Sequence, residues 1–135
     1  MVCSYMTTTQ EVVTRLMEIP AYEPQQGPAP EDLVIEDIVV GDGAEAAPSA
    51  VVNVHYVGYD YATGEKFDSS YDRGQSIEFP LSNLIAGWQE GIPGMKVGGR
   101  RKLVIPPEAA YGPAGTPHPL AGRTLVFFID LIGTH

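Results

Sequence analysis

Beyond about residue 31, apolar and polar positions alternate along most of the chain, a period that predicts strands. Leu33 to Val40 reads as the first, closed by Gly41-Asp42-Gly43. In Val51 to Tyr59, Val52, Val54 and Tyr56 share one face, and Asn53 and His55 share the other. The first face is therefore expected to meet the core. Ala62-Thr63-Gly64 supplies a turn into Lys66-Phe67-Asp68, and Ile77 to Phe79 reads as a short strand after the polar bend Tyr71-Asp72-Arg73-Gly74. Arg100 to Ile105 follows, halted by Pro106-Pro107. The pattern is clearest from Thr124 to Ile132, where Leu125, Phe127, Ile129 and Leu131 make an unbroken apolar face and Thr124 and Asp130 lie on the other.

Two segments follow a helical period instead. Ser82 is placed to cap a short helix whose Leu84, Ile85, Trp88 and Ile92 recur at spacings of three and four, ended by Pro93 and Gly94. One amphipathic helix needs one apolar surface, and a curved sheet offers it. The expected fold is α+β: a curved antiparallel sheet of five to six strands wrapped around one short helix. Near the N-terminus, Thr8 and Glu11 match a capping box ahead of Val12, Val13, Leu16 and Ile19, and Pro20 stops that pattern. Ala21 to Pro30 has the proline-rich composition of a linker. Residues 1–30 are thus read as an extension, either untethered or docked, and residues 31–135 as the domain.

Composition narrows the function classes. The 135 residues carry 17 acidic and 8 basic side chains, a net charge of -9. Nucleic acids and anionic lipid surfaces repel such a chain. Cys3 is the single cysteine, so no internal disulfide forms, and the first twenty residues have no signal-peptide or membrane-span pattern. A cytoplasmic protein is expected. His55, His118 and His135 lack metal-ligand spacing, so no metal or other cofactor is expected. Ser69-Ser70 sits in no nucleophile elbow, and Gly98-Gly99 leads into a strand rather than a helix, which removes the basis for a phosphate loop. The eighteen residues from Pro106 to Arg123 form a long loop without a period of its own, and such loops are commonly functional. It carries Tyr111, whose hydroxyl either points into a cleft or bonds backbone. On periodicity alone Trp88 is a core residue, Asp68 a turn former and Arg73 a solvated cation.

Taken together, the run from Gly87-Trp88 to Val97-Gly98, Tyr56, Lys66-Phe67-Asp68-Ser69-Ser70 and Ala110-Tyr111-Gly112 resemble the FKBP family of peptidyl-prolyl cis-trans isomerases, in order from about Leu33 to Gly133. The resemblance implies a pocket for proline with Trp88 as its floor, shaped by Tyr56, Phe67, Ile85 and Phe127. It implies polar contacts from Asp68 and Tyr111, a backbone donor at Ile85, Leu84 on the wall, and Arg73 holding Tyr56 or Asp68. Ile77 stands where the family often has an aromatic residue, and Leu120 is the only sizeable apolar residue of the short loop tip from Thr116 to Gly122. Both are read as ligand contacts. The implied activity is prolyl isomerisation that assists protein folding, by a monomer, without cofactor. Implied partners are proline-containing polypeptides and macrolides such as tacrolimus and rapamycin. The competing readings are a proline-peptide binding module and a general chaperone.

Overall fold

The structure is a computed structural model that describes residues 19–24, 28–113 and 115–135. The segment up to Glu18, which holds Cys3 and nearly all of the expected N-terminal helix, lies outside the described residues. One antiparallel sheet contains β1 (Val34–Val39), β2 (Val51–Asp60), β3 (Lys66–Ser69), β4 (Ile77–Pro80), β5 (Arg100–Ile105) and β6 (Leu125–Thr134). Its order is β1-β5-β6-β2-β3, with β4 also paired to β2. The long β2 thus serves two short strands along one edge: Val51 to Val54 pair with β4, and Val57 to Tyr59 with β3. His55 and Tyr56 fall in the gap between them.

Two short α-helices accompany the sheet. The first, α1 (Ser70–Arg73), follows β3 directly and is capped by the Ser69 side chain, which accepts from the Asp72 N–H. The second, α2 (Ala86–Gly91), is the amphipathic one, and it is shorter than the spacing predicts. Ser82 does not cap it. Leu81 to Asn83 form a separate 3₁₀ turn, and Leu84 (φ −105°, ψ 167°) and Ile85 (φ −60°, ψ 154°) are extended before the helix starts. The turn is tied down by the fully buried Leu81, whose N–H donates to Ala50 O at 3.0 Å. The Gln89 side-chain amide donates to Leu84 O at 2.7 Å, which satisfies a carbonyl that a continuous helix would have used.

Helix α2 lies close to the sheet because its facing residues are small. A Cβ at Gly87 would come within 2.5 Å of Ile105, and one at Gly91 within 2.7 Å of Leu103. The bare backbone lets Trp88 and Ile92 sink into the core at 4% and 0% exposure. Arg101 fixes the far end, donating to Gly91 O at 2.7 Å while its Nε donates to Asp37 at 2.7 Å.

The inner face of the sheet carries the expected alternation. Val52, Val54 and Tyr56 of β2 join Leu125, Phe127, Ile129 and Leu131 of β6 in one buried cluster under α2. The outer face is buried as well, which alternation does not foretell. Val57, Tyr59, Val104, Val126 and Phe128 form a second cluster there, with Tyr22, Tyr61 and Tyr71 packed on it. Tyr22 belongs to the stretch of linker composition, yet its hydroxyl donates to Tyr61 O at 2.8 Å and its ring lies 5.8 Å from that of Tyr59. The Tyr59 hydroxyl in turn donates to Pro20 O.

A chain that begins at Glu31 removes this strap and leaves both α2 and the inner cluster. It is expected to form the same sheet and to keep its activity within a few-fold. Two ring contacts and two hydrogen bonds lost from this face amount to roughly 2–3 kcal/mol even at the low end of each, a drop of about ten degrees or more in melting temperature. Thermal unfolding followed by circular dichroism measures it, and an unfolded product would place the strap within the core.

Candidate active site

Between α2 and the inner face of the sheet lies a cavity of about 320 Å³. Trp88 of α2 forms its floor. Tyr56 of β2 meets the indole edge-on at 5.2 Å and 78°, and Phe127 of β6 does so at 5.2 Å and 87°. Phe67 of β3 stands behind Phe127, also edge to face, at 5.6 Å. Each ring therefore has its position set by another. Gly58 makes this possible, since a Cβ there would sit 2.6 Å from Phe67 and 2.8 Å from Phe127. The open side is walled by Ile77 and Phe79 of β4 and by Asn83, Leu84 and Ile85 of the crossing segment. Tyr111, from the long loop, closes the rim.

Few polar groups face this space. The Tyr56 hydroxyl donates to Asp68 Oδ2 at 2.5 Å, and Arg73 donates to Asp68 Oδ1 at 2.6 Å and to the Tyr56 hydroxyl at 3.0 Å. Burial pulls the Asp68 carboxyl upward, but the bonds from Tyr56 and Arg73, the Arg73 charge and the Ser69 N–H outweigh it and hold the group below its ordinary value. The carboxylate stays ionised at neutral pH. Burial first, and then the bond to Asp68, push the Tyr56 phenol up, so it remains a donor. Burial and the Asp68 charge likewise raise Tyr111. Among the described residues, neither the Tyr111 hydroxyl nor the Ile85 N–H donates to a protein acceptor, and both residues line the cavity. The Tyr111 ring is held from outside by His118, stacked at 4.2 Å and 6°. The buried Trp88 Nε1 has no protein partner among the described residues either.

The structure brings together on the cavity wall seven of the residues singled out in the sequence: Tyr56, Asp68, Ile77, Leu84, Ile85, Trp88 and Tyr111, with Phe127 at the back. Three stand one layer away. Phe67 touches Phe127, and Arg73 bonds Asp68 and Tyr56. Leu120 packs against the inner cluster rather than facing the cavity, because its loop closes on itself through Gly122 N–H and Gly112 O at 2.7 Å. Phe79 and Asn83 were not singled out. The signal for Phe79 was present, since it lies two residues from Ile77 on the same strand face. Asn83 carried none, because its place depends on the break at Leu84.

Two other features compete for attention. A wider cleft of about 790 Å³ runs past Ala29 to Leu33 and Pro106 to Ala109. Its lining includes Glu31, Asp32, Glu90 and Glu108 and no aromatic ring, so it offers little apolar cover for an amide. His55 Nδ1 lies 2.8 Å from Ser70 Oγ, a base beside a hydroxyl. Ser70 is fully buried and its oxygen is bonded to the Tyr56 backbone, so it reaches no substrate. Among the described residues no three His, Cys, Asp or Glu converge on a metal-sized site, and no helix is long and apolar enough to cross a membrane.

A ring-walled cavity with a few donors on its rim, lined among the described residues by no serine, cysteine or lysine, is of the class that holds an apolar ring beside a polar group. Comparison with known proteins makes the class specific. The family model for FKBP-type peptidyl-prolyl cis-trans isomerases matches residues 43–132, and the chain belongs to that family. A probable FK506-binding protein of Corynebacterium glutamicum is 73% identical over 116 residues, which cover 86% of this chain and 98% of that one. An FK506-binding protein of Streptomyces anulatus is 46% identical over 120 residues, 86% of this chain and 97% of its own. The crystal structure of AtFKBP13 superposes with a TM-score of 0.68 at 38% identity, over 79% of this chain and 96% of that one. The fold and the isomerase class expected from the sequence are those of these relatives.

Gly58→Ala tests how tightly the rings are packed. The added methyl has to displace Phe67 or Phe127, each locked edge to face, so a loss of roughly 1–3 kcal/mol is expected, with isomerase efficiency reduced several-fold. Thermal melts and a proline-peptide assay on the same sample measure both.

Proposed function

We propose that this isomerase rotates X–Pro bonds of polypeptide substrates in the cavity above Trp88, with Tyr56, Phe67, Ile77, Leu84, Ile85 and Phe127 shaping the proline site. Asp68, Tyr111 and the Ile85 N–H act on the amide, Arg73 holds Asp68 and Tyr56, and Leu120 steadies the loop beside Tyr111. The observation that carries this reading is the edge-to-face set of Tyr56, Trp88 and Phe127 around a space of about 320 Å³. Rotation about an X–Pro bond faces a barrier of roughly 18–20 kcal/mol and breaks no bond. Its transition state is a twisted amide that has lost resonance and carries less charge separation than the planar form. An apolar cavity therefore favours it over the ground state, and donors at the rim fix the turned carbonyl. A thousandfold acceleration needs only about 4 kcal/mol. Shape, desolvation and one or two hydrogen bonds supply that much.

In the same reading the protein works as a monomer in the cytoplasm and assists the folding of proline-containing chains. Its net charge of -9 supports a partner set without nucleic acid or anionic membrane. The domain proper begins at Glu31. The relatives' names speak of FK506 binding, and the rim supports macrolide binding here: tacrolimus and rapamycin each present a ring and a carbonyl of the kind this site accepts. Both are expected to block turnover of a proline tetrapeptide, and cyclosporin is not. Full activity in the presence of either macrolide would remove the cavity from the reaction.

Two substitutions separate packing from chemistry. Trp88→Ala leaves a void under the sheet and is expected to cost on the order of 3–5 kcal/mol of stability. Tyr111→Phe keeps the ring stacked on His118 and removes a hydroxyl that has no protein acceptor among the described residues. Its melting temperature is expected to stay nearly unchanged while kcat/KM falls by roughly three- to tenfold, the value of one hydrogen bond. A variant that melts early yet turns over normally would make that hydroxyl structural.

A further inference from the structure

The edge of β2 is interrupted beside Tyr56, one wall of the pocket. Strand β4 ends its pairing at Val54 and β3 begins at Val57, so no strand faces Tyr56 on that side. A side chain fills the gap. Ser70 Oγ accepts the Tyr56 N–H at 2.7 Å and lies 3.2 Å from Tyr56 O, to which it donates. The same oxygen is 2.8 Å from His55 Nδ1, on a ring directed to the outer face of the sheet. We propose that Ser70 and His55 are positioning residues for the isomerase reaction, the hydroxyl holding the Tyr56 backbone and the imidazole setting where that hydroxyl donates. The inference rests on the pocket reading above, because Tyr56 transmits the effect through its 2.5 Å bond to Asp68.

Hydrogen counting gives the coupling. Ser70 has one hydroxyl hydrogen. When Nδ1 is bare, that hydrogen is shared between Nδ1 and Tyr56 O. When Nδ1 carries a proton it donates to Ser70 Oγ, and the hydroxyl hydrogen goes to Tyr56 O alone. Both backbone groups of Tyr56 are then bonded to one buried oxygen. The groups that face His55 are few and fixed. Tyr71 of α1 stacks on the imidazole at 4.9 Å and 17°, and its hydroxyl donates to Asp130. Asp130 lies opposite His55 in the β2–β6 register and is gripped by Arg100 of β5 at 2.9 and 2.8 Å. Burial lowers the His55 pKa and the Asp130 charge partly restores it.

The test compares wild type with Ser70→Ala, His55→Phe and Tyr56→Phe in a proline-peptide assay from about pH 5 to 8. His55→Phe keeps a ring on Tyr71 and removes both nitrogens. At neutral pH, Ser70→Ala is expected to lower kcat by about two- to fivefold with KM little changed, whereas His55→Phe, which removes the acceptor that competes with Tyr56 O, is expected to match or slightly exceed wild type. Wild type is expected to gain about twofold in kcat/KM relative to His55→Phe as the imidazole takes up its proton. On wild type alone, the Tyr56 amide resonance is expected to follow the His55 ring titration, and the parallel change in kcat/KM is what a purely structural contact would not produce. If Ser70→Ala does not fold, that titration and His55→Phe decide the matter. Parallel pH profiles, or a Tyr56 amide indifferent to the ring, overturn the inference while a damaged Tyr56→Phe leaves the pocket reading standing. A fully active Tyr56→Phe overturns both.

Discussion

One buried indole organises this protein. Trp88 is seated by a helix of six residues, and that helix holds its depth only because Gly87 and Gly91 let its backbone approach Ile105 and Leu103. At that depth the ring meets Tyr56 and Phe127 edge-on. Core and cavity lining thus meet in one side chain. A catalyst that works by shape needs such a floor, since a mobile wall would accommodate the planar amide as readily as the twisted one.

Polar groups around the cavity are divided by whether they are already bonded. Asp68, Tyr56 and Arg73 satisfy one another, which keeps the carboxylate charged and the phenol in place. The Ile85 N–H and the Tyr111 hydroxyl have no protein acceptor among the described residues and face the opening. The extended break at Leu84 and Ile85 is what exposes the first of these. In a continuous helix from Ser82 that N–H would lie near the first turn, with the side chain aimed at the sheet.

The outer face matters because β2 belongs to both faces at once. Tyr56 points inward and His55 and Val57 outward, so anything that braces the outer side also braces the pocket strand. The ion pair of Arg100 and Asp130, the stacked Tyr71 and the tyrosine strap at Tyr22 all do so. The charged pair is buried at the sheet centre, where removing one partner would leave the other stranded and costly.

Much of this was legible from residue order. A period of two reports where successive Cβ atoms point, and it gave the strands and the inner face of β2 and β6 directly. The run around Trp88 and the Lys66 to Ser70 segment gave the family and, with it, most of the cavity. Leu84, Ile85 and Trp88 were placed near one another correctly but on one helix stripe, whereas the chain is extended at the first two. Local periodicity cannot register a break that depends on Leu81 being anchored to Ala50. Nor can it tell that Val126, Phe128 and Asp130 are buried on the outer side, because their cover comes from residues as remote as Tyr22, whose partner Tyr61 lies 39 positions on. The sequence by itself determined the strand period and the inner face of β2 and β6, since these follow from neighbours along the chain, while the rings around the cavity came with the family motifs. Which donors stay unbonded, which side chain fills the gap beside Tyr56 and what covers the second face were decided only when distant segments met, because each depends on a contact that no local window contains.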